Sequence, residues 1–257
     1  MSDWNPNLYM KYANERTQPA IDLIARIHLT TPDRIIDIGC GPGNSTNALK
    51  TRWPDADLTG LDSSAAMIEQ AGINYPDIKW ICADAADDLR SLGKYDLVFS
   101  NAALQWLPDQ DIVLRNLYGL LNSGGVLAVQ VPNTVNMPLR IELKKLADSE
   151  KWKDRFRNFD TTHAVNQAGY YYDILSRLSS EIYLWQTDYY HVMDSHDDII
   201  KWYSSTGLRP YLDILTEEEI THFLYDYKKL LEASYETSSS NGKILFPFTR
   251  IFFTAYN

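Results

Sequence analysis

Three carboxylates and three glycines stand at the ends of short apolar runs within the first 84 residues. Asp37 lies two residues before Gly39 in "IIDIGCGPGNS", which continues through Gly41 and Gly43. Asp62 closes the next run, 19 residues beyond Gly43, and Asp84 closes the third in "ICADA". A glycine-rich turn from a strand into a helix lets backbone N–H groups approach a ligand where the helix N-terminus adds partial positive charge. A carboxylate ending the second strand can accept both hydroxyls of a ribose. Together these residues could hold an adenosine-containing ligand. The plain alternative is a tight turn whose glycines serve only the backbone.

NAD and S-adenosylmethionine both carry adenosine, and the spacing separates them. The dinucleotide fingerprint is G-x-G-x-x-G, with a pyrophosphate at the helix N-terminus. Here Gly43 comes one residue early and acidic side chains crowd the pocket. They would repel a pyrophosphate, but not a sulfonium that carries a free ammonium group.

Short apolar runs alternating with helical patterns from Pro19 to about Pro132 imply βαβ units and a mostly parallel sheet. Candidate strands are Arg34 to Ile38, Asp57 to Leu61, Ile78 to Cys82, Tyr95 to Ser100 and Gly125 to Val131. Ser63 or Ser64 can cap a helix running through Gly72. Ile112, Leu117, Leu120 and Leu121 give an amphipathic helix that "NSGG" should end. Beyond Pro132 come helical segments, "RIELKKLADSEKW" and "YYYDILSRLSS", then the β-rich "EIYLWQTDYYHVM". Helices return from Ser195 to about Tyr235, with Thr216 and Glu219 forming a capping box. A last strand, Ile244 to Tyr256, alternates poorly and should be buried on both faces.

The chain has 257 residues, 45% of them hydrophobic, enough for a full core in one domain or one domain with an insertion. A formal charge of −10, with scattered acids, excludes duplex nucleic acid as a natural partner. An anionic substrate would need a local cluster of positive charge. The two cysteines, Cys40 and Cys82, have no C-x-x-C spacing and no metal quartet accompanies them. No apolar stretch approaches the roughly 18 residues of a membrane helix and no signal peptide is evident, so a soluble, cytoplasmic protein with reduced thiols is expected.

"DIGCGPGNST", "GLDSSAAMIEQA", "ICADA" and "DLVFSNAALQWLPD" resemble, in order and spacing, the successive motifs of class I S-adenosylmethionine-dependent methyltransferases. The start, "YYYDILS", "TDYYHVMDSHDDIIKWYSSTGLRPYL" and "LFPFTRIFF" narrow the resemblance to members that esterify a small tricarboxylate. It covers nearly the whole chain and is weakest from Thr134 to Ala168. It implies an α/β, Rossmann-like fold with a seven-stranded, mostly parallel sheet flanked by helices and a helical cap. One methyltransferase domain would span 1–257, with 1–20 and 194–242 as cap elements that exclude water.

The resemblance also implies roles. Asp37, Gly39 and Gly41 would shape the loop around the methionine moiety, Asp62 would bind the ribose, and Asp84 with Ala85 would meet the adenine. Asn101 would position the reacting methyl. Against these stand structural readings: Asp62 as a helix cap and Asn101 as a turn residue. Transfer to a carboxylate, giving a methyl monoester and S-adenosylhomocysteine, needs neither a metal nor a general base, because a carboxyl of pKa roughly 4 is already ionised near neutrality. His163 and His191 are therefore free to be structural. Arginine's fork matches a carboxylate, which makes Arg16, Arg209 and Arg250 candidate substrate ligands. Tyr9, Tyr12, Trp106, Tyr190, Trp202 and Tyr203 could wall the site or belong to the core. Two rival readings remain: another carboxylate, amine or phenol as acceptor, and a non-catalytic adenosine-binding module. The oligomeric state is open.

Overall fold

Seven strands form one sheet in the order β3-β2-β1-β4-β5-β7-β6. In this computed structural model, which describes residues 13–157, 166–204 and 206–257, helix α1 (Ala13–Ala25) precedes β1 (Arg34–Ile38). Next come α2 (Asn44–Arg52), β2 (Asp57–Asp62), α3 (Ala65–Asn74), β3 (Lys79–Cys82) and β4 (Tyr95–Asn101). They are followed by α4 (Gln110–Tyr118), β5 (Leu121–Pro132), α5 (Pro138–Ala147), α6 (Ala168–Leu175) and β6 (Glu181–Met193). Helices α7 (His196–Ser204), α8 (Arg209–Leu212) and α9 (Glu217–Ser234) lead to β7 (Ile244–Tyr256).

Pairs β1·β2, β2·β3, β1·β4 and β4·β5 are parallel. From β1 the chain winds outward to β3, then returns to lay β4 on the other side of β1. The carboxyl ends of β1 and β4 thus meet at the topological switch point, where open α/β sheets bind ligands. Asp37 is in register with both Gly60 and Phe99. Ile35, Ile36 and Ile38 are fully buried, as a parallel strand covered on both faces requires.

The chain divides into two compact units. The first comprises Met1–Pro132, His163–Thr187 and Ile251–Asn257. Its core includes Ile36, Ile38, Leu61, Val98, Leu114, Leu127, Val129 and Phe253. Burial of each such side chain favours folding by about 1.5–3 kcal/mol. The second unit comprises Asn133–Thr162 and Asp188–Arg250. Trp152 and Phe223 pack edge to face there, with ring centroids 5.0 Å apart, and α9 begins with the anticipated capping box. The Thr216 hydroxyl accepts from the Glu219 amide at 3.3 Å, while the Thr216 amide donates to the Glu219 carboxylate at 2.8 Å.

Two expectations need correction. Helix α4 ends at Tyr118, and "NSGG" lies inside β5 rather than stopping the helix. Its residues are accommodated by a register shift: Tyr95 faces Leu121, but Leu97 faces Val126. The Asn122 amide holds this bulge by donating to Asp96 at 2.7 Å, and Gly124 supplies a left-handed φ of 78°. The final strand is covered on both faces only from Arg250 onward. Before that it alternates, with Ile244, Phe246 and Phe248 buried and Leu245 exposed.

Among the described residues no helix is long and apolar enough to cross a membrane.

Candidate cofactor site

Where β1 ends, the amides of Gly39 and Cys40 both donate to the Leu61 carbonyl, at 2.7 and 3.0 Å. This ties the glycine loop to the end of β2. Gly39, Gly41 and Gly43 all have left-handed φ values, 70°, 53° and 93°, which only glycine adopts freely. Their surroundings differ. A Cβ on Gly39 would lie 2.1 Å from the Ala103 Cβ, and one on Gly43 would lie 2.7 Å from the Tyr75 ring and 2.8 Å from Trp80. A Cβ on Gly41 would meet nothing within 4 Å. Two glycines therefore permit close packing, and the middle one leaves an open cradle.

Asp62 is anchored beside that cradle. One carboxylate oxygen accepts from the Gly41 amide at 2.9 Å and the other from the Ser64 amide at 2.9 Å. Ser64, not Asp62, caps α3: its hydroxyl accepts from the Met67 amide at 3.3 Å. Asp62 is only half buried. A carboxylate oxygen can accept more than one hydrogen bond, which is the chemistry a ribose diol requires.

Asp37 is wholly buried, and one of its oxygens accepts from the Ser45 hydroxyl at 2.6 Å and the Thr46 hydroxyl at 2.7 Å. Burial pushes its pKa up to about 6; the two hydroxyls pull it down, and the Asp62 charge pushes it further up. Its other oxygen is buried and takes no hydrogen bond from any described residue. The same is true of Asn101 Oδ1 and Gln105 Oε1. Asn101 ends β4, and Gln105 sits in a single 3-10 turn, Leu104–Trp106. Between them Ala102 holds a left-handed φ of 55°, braced by its own amide donating to the Gln130 carbonyl at 2.9 Å and by the Gln105 amide donating to its carbonyl at 2.6 Å.

Three buried acceptors without donors among the described residues, at the ends of β1 and β4 and in the turn that follows β4, call for a ligand that brings N–H groups and positive charge. The Cys40 thiol reports the same field. Burial pushes it well up, and the charges of Asp37 and Asp62 add to the shift, so it is no thiolate nucleophile. The open cradle, the anchored Asp62 and this acceptor set fit S-adenosylmethionine and disfavour a pyrophosphate.

At the end of β3, Asp84 is exposed and accepts from the Ala86 amide at 2.9 Å, while Ala85 is buried. Trp106 is half buried. Sequence reasoning did not single out Ser45, Thr46 or Gln105. The first two were visible as hydroxyls opening the helix in "GNST"; Gln105 carried no local signal.

Trp202, Arg250, Arg209, His191, Tyr190 and Tyr203 belong to the second unit. Trp202 is buried, with its ring centroid 4.4 Å from His191 and 5.8 Å from Phe248. It is core. Arg250 is buried with its guanidinium 4.8 Å over the Phe248 ring and 5.9 Å from that of Tyr189. Arg209 reaches Asp213 at 3.8 Å along α8. Burial, and then the Arg250 charge, pull the His191 pKa down to about 4, so the ring is neutral at physiological pH. Tyr190 is exposed and Tyr203 buried. Tyr9, Tyr12, His163 and the side chain of Arg16 lie outside the described residues. Among the described residues no group of His, Cys, Asp or Glu is arranged to hold a metal.

A methyltransferase-domain family model matches residues 35–125, from β1 into β5. The chain is 46% identical over 256 residues to the trans-aconitate 2-methyltransferase of Escherichia coli O7:K1 (strain IAI39 / ExPEC), covering 99% of this chain and 98% of the relative. Among solved structures, the YcgJ protein of Bacillus subtilis superposes with a TM-score of 0.60 at 15% identity, covering 93% of this chain and 98% of the other. Haemonchus contortus phosphoethanolamine N-methyltransferase 2, solved with S-adenosyl-L-methionine, gives 0.54 at 14% identity over 93% and 52%. The two structural likenesses speak for the fold.

Proposed function

The chain belongs to the trans-aconitate 2-methyltransferase family, and from that premise we propose how its residues carry out carboxyl methylation of a small tricarboxylate, trans-aconitate. The enzyme is an S-adenosylmethionine-dependent O-methyltransferase. When bound, S-adenosylmethionine supplies an electrophilic methyl group on a sulfonium, which a carboxylate oxygen takes to give the methyl monoester and S-adenosylhomocysteine.

The observation that carries the assignment of roles is the pairing of the Asp62 carboxylate with the Gly41 amide beside an open cradle. Asp62 would hold the ribose hydroxyls. Asp37, Asn101 and Gln105 would take the N–H donors of the methionine end through their unsatisfied oxygens. Asp84 and Ala85 would border the adenine. None of them needs to move a proton, because the acceptor carboxylate is already ionised near pH 7. Their work is orientation, which can supply on the order of 7–11 kcal/mol when reacting groups are held in line. Arg209 and Arg250 stand as ligands for acceptor carboxylates. Water exclusion falls to residues 1–20 and 194–242, so a chain lacking its first 20 residues should lose turnover.

Incubation with methyl-labelled S-adenosylmethionine and a panel of mono-, di- and tricarboxylates tests the proposal. Base-labile label on trans-aconitate supports it. Label on none of the acids, with transfer to an amine or phenol, would overturn it.

A further inference from the structure

Gly60 lies mid-strand in β2, where a glycine weakens the strand and marks the close approach of another group. It is buried, stands in register with Asp37 on β1 and Trp80 on β3, and is not among the glycines with a left-handed φ. Space, not backbone conformation, is what it supplies. The occupant of that space is Trp80: a Cβ at position 60 would lie 2.2 Å from Cζ3 and 2.4 Å from Cε3 of the indole.

From the outermost strand, β3, this ring crosses Gly60 and reaches the glycine loop. A Cβ at position 43 would lie 2.8 Å from Cη2 of the same indole and 2.7 Å from Cδ2 of Tyr75. The indole Nε1 donates to the Tyr75 carbonyl at 3.0 Å, at the C-terminal cap of α3. Both rings that press on Gly43 are therefore tied to one helix end.

Helix α3 holds the loop at a second point. Asn74 Nδ2 donates to the Pro42 carbonyl at 3.4 Å, and its amide is turned that way because Gln70 Nε2 donates to Asn74 Oδ1 at 2.9 Å. At the other end of α3 the Ser64 amide donates to Asp62, which accepts from the Gly41 amide through its second oxygen. Gly41 itself has no packing of its own on the side where a Cβ would stand. Its place is set by what holds the residues on either side.

We infer that Trp80 is a positioning residue for the cofactor: with Tyr75 it braces the left-handed turn at Gly43 and so fixes the Gly41 cradle against Asp62, on the reading that this cradle takes S-adenosylmethionine. Gly60 is bare so that the indole can pass. A shorter side chain at position 80 would leave Gly43 unsupported on one side, and the cradle would lose its fixed distance from Asp62. Binding energy would then go into ordering the loop.

Trp80→Phe, Trp80→Leu, Gly60→Ala and the double variant Gly60→Ala/Trp80→Leu of the full chain test this, by calorimetry with S-adenosylhomocysteine, thermal denaturation, and KM and kcat for methyl transfer. Leu117→Ala, a change in the buried core on α4, controls for loss of stability alone. Trp80→Leu should raise the S-adenosylhomocysteine Kd by about tenfold or more, and Trp80→Phe, whose single ring stops short of Gly43, by less. KM for S-adenosylmethionine should rise with Kd while kcat changes little. Gly60→Ala should weaken binding alone but add little to Trp80→Leu, because the ring it displaces is already gone. A merely structural tryptophan would lower the melting temperature and leave Kd where Leu117→Ala leaves it. If Trp80→Leu fails to fold, Trp80→Phe and Gly60→Ala carry the test. Unchanged Kd values in the folded variants, or additive effects in the double variant, beside a wild type that binds S-adenosylhomocysteine, would overturn the inference. A wild type that binds none would instead sink the reading of the cradle beneath it.

Discussion

The Gly41 amide donates to the Asp62 carboxylate at 2.9 Å, while the Ser64 amide occupies the other carboxylate oxygen at the same distance. Asp62 therefore spans the glycine loop and the start of α3. In Asp62→Asn the side chain offers one oxygen and one NH2 group, so one backbone amide faces a donor. A hydrogen bond to a charged group is worth about 1.5–3 kcal/mol, so the S-adenosylhomocysteine Kd should rise roughly ten- to a hundredfold. Calorimetric titration measures this directly. A Kd within threefold of wild type would mean that Asp62 organises the loop without touching the ligand.

The glycine loop allows fold and ligand binding to be separated. Gly39→Ala places a methyl group 2.1 Å from the Ala103 Cβ at a left-handed φ, so strain of about 1–2 kcal/mol adds to overpacking of about 1–3 kcal/mol. Gly41→Ala carries the backbone strain alone, since its new methyl meets nothing within 4 Å. The first variant should lose thermal stability most. The second should fold nearly as well as wild type but bind S-adenosylhomocysteine more than tenfold worse, because its methyl fills the cradle. Equal ligand affinity in Gly41→Ala and wild type would place the ligand elsewhere.

Asp37 should make ligand binding depend on pH. Its folded pKa, about 6, lies above the ordinary 3.8 because of burial first, and the neighbouring Asp62 charge adds to the rise. The native state thus holds this proton more tightly than the unfolded chain. Its contribution to stability is full below about pH 4 and is lost as pH rises through about 6, a swing on the order of 3 kcal/mol. A cationic ligand favours the ionised carboxylate, so binding of S-adenosylhomocysteine, which keeps the ammonium, should release a proton near pH 5.5 and none at pH 8. Titrations in buffers of different ionisation enthalpy detect it. Asp37→Asn should abolish the release; wild type without release would show that Asp37 does not face the ligand's charge.

Strands β1, β2, β4 and β5 were legible because strands buried along most of their length read as apolar runs; β3, at the sheet edge with no buried residue, was legible from its short run ahead of Asp84. The purpose of each glycine was not legible, since the Ala103, Tyr75 and Trp80 contacts that distinguish Gly39 and Gly43 from Gly41 come from other elements. "NSGG" misled for a related reason: a glycine pair can end a helix or open a bulge, and the pairing of Leu97 with Val126 decided it. The start of α5 carried helical periodicity but no motif, and the tyrosines that hold its Leu139 backbone lie 88 and 96 residues further on, beyond any local window.

His191 offers a test of whether the reaction needs a base. Burial and the Arg250 charge hold its pKa at about 4, below the ordinary 6.5, so the native state binds this proton less readily than the unfolded chain. Its contribution to stability is present above about pH 6.5 and is lost as pH falls through about 4, opposite in sign to that of Asp37 over much the same range. His191→Gln should therefore lose less stability than wild type between pH 7.5 and 5 in denaturant titrations. For catalysis the expectation is indifference: kcat/KM for trans-aconitate should stay flat from pH 6.5 to 8.5 in both proteins, because the acceptor is already ionised and the His191 ring is neutral throughout that range. A general base would be worth about 100- to 10,000-fold. A hundredfold fall in kcat for a well-folded His191→Gln would thus reveal proton abstraction, and with it an acceptor other than a carboxylate.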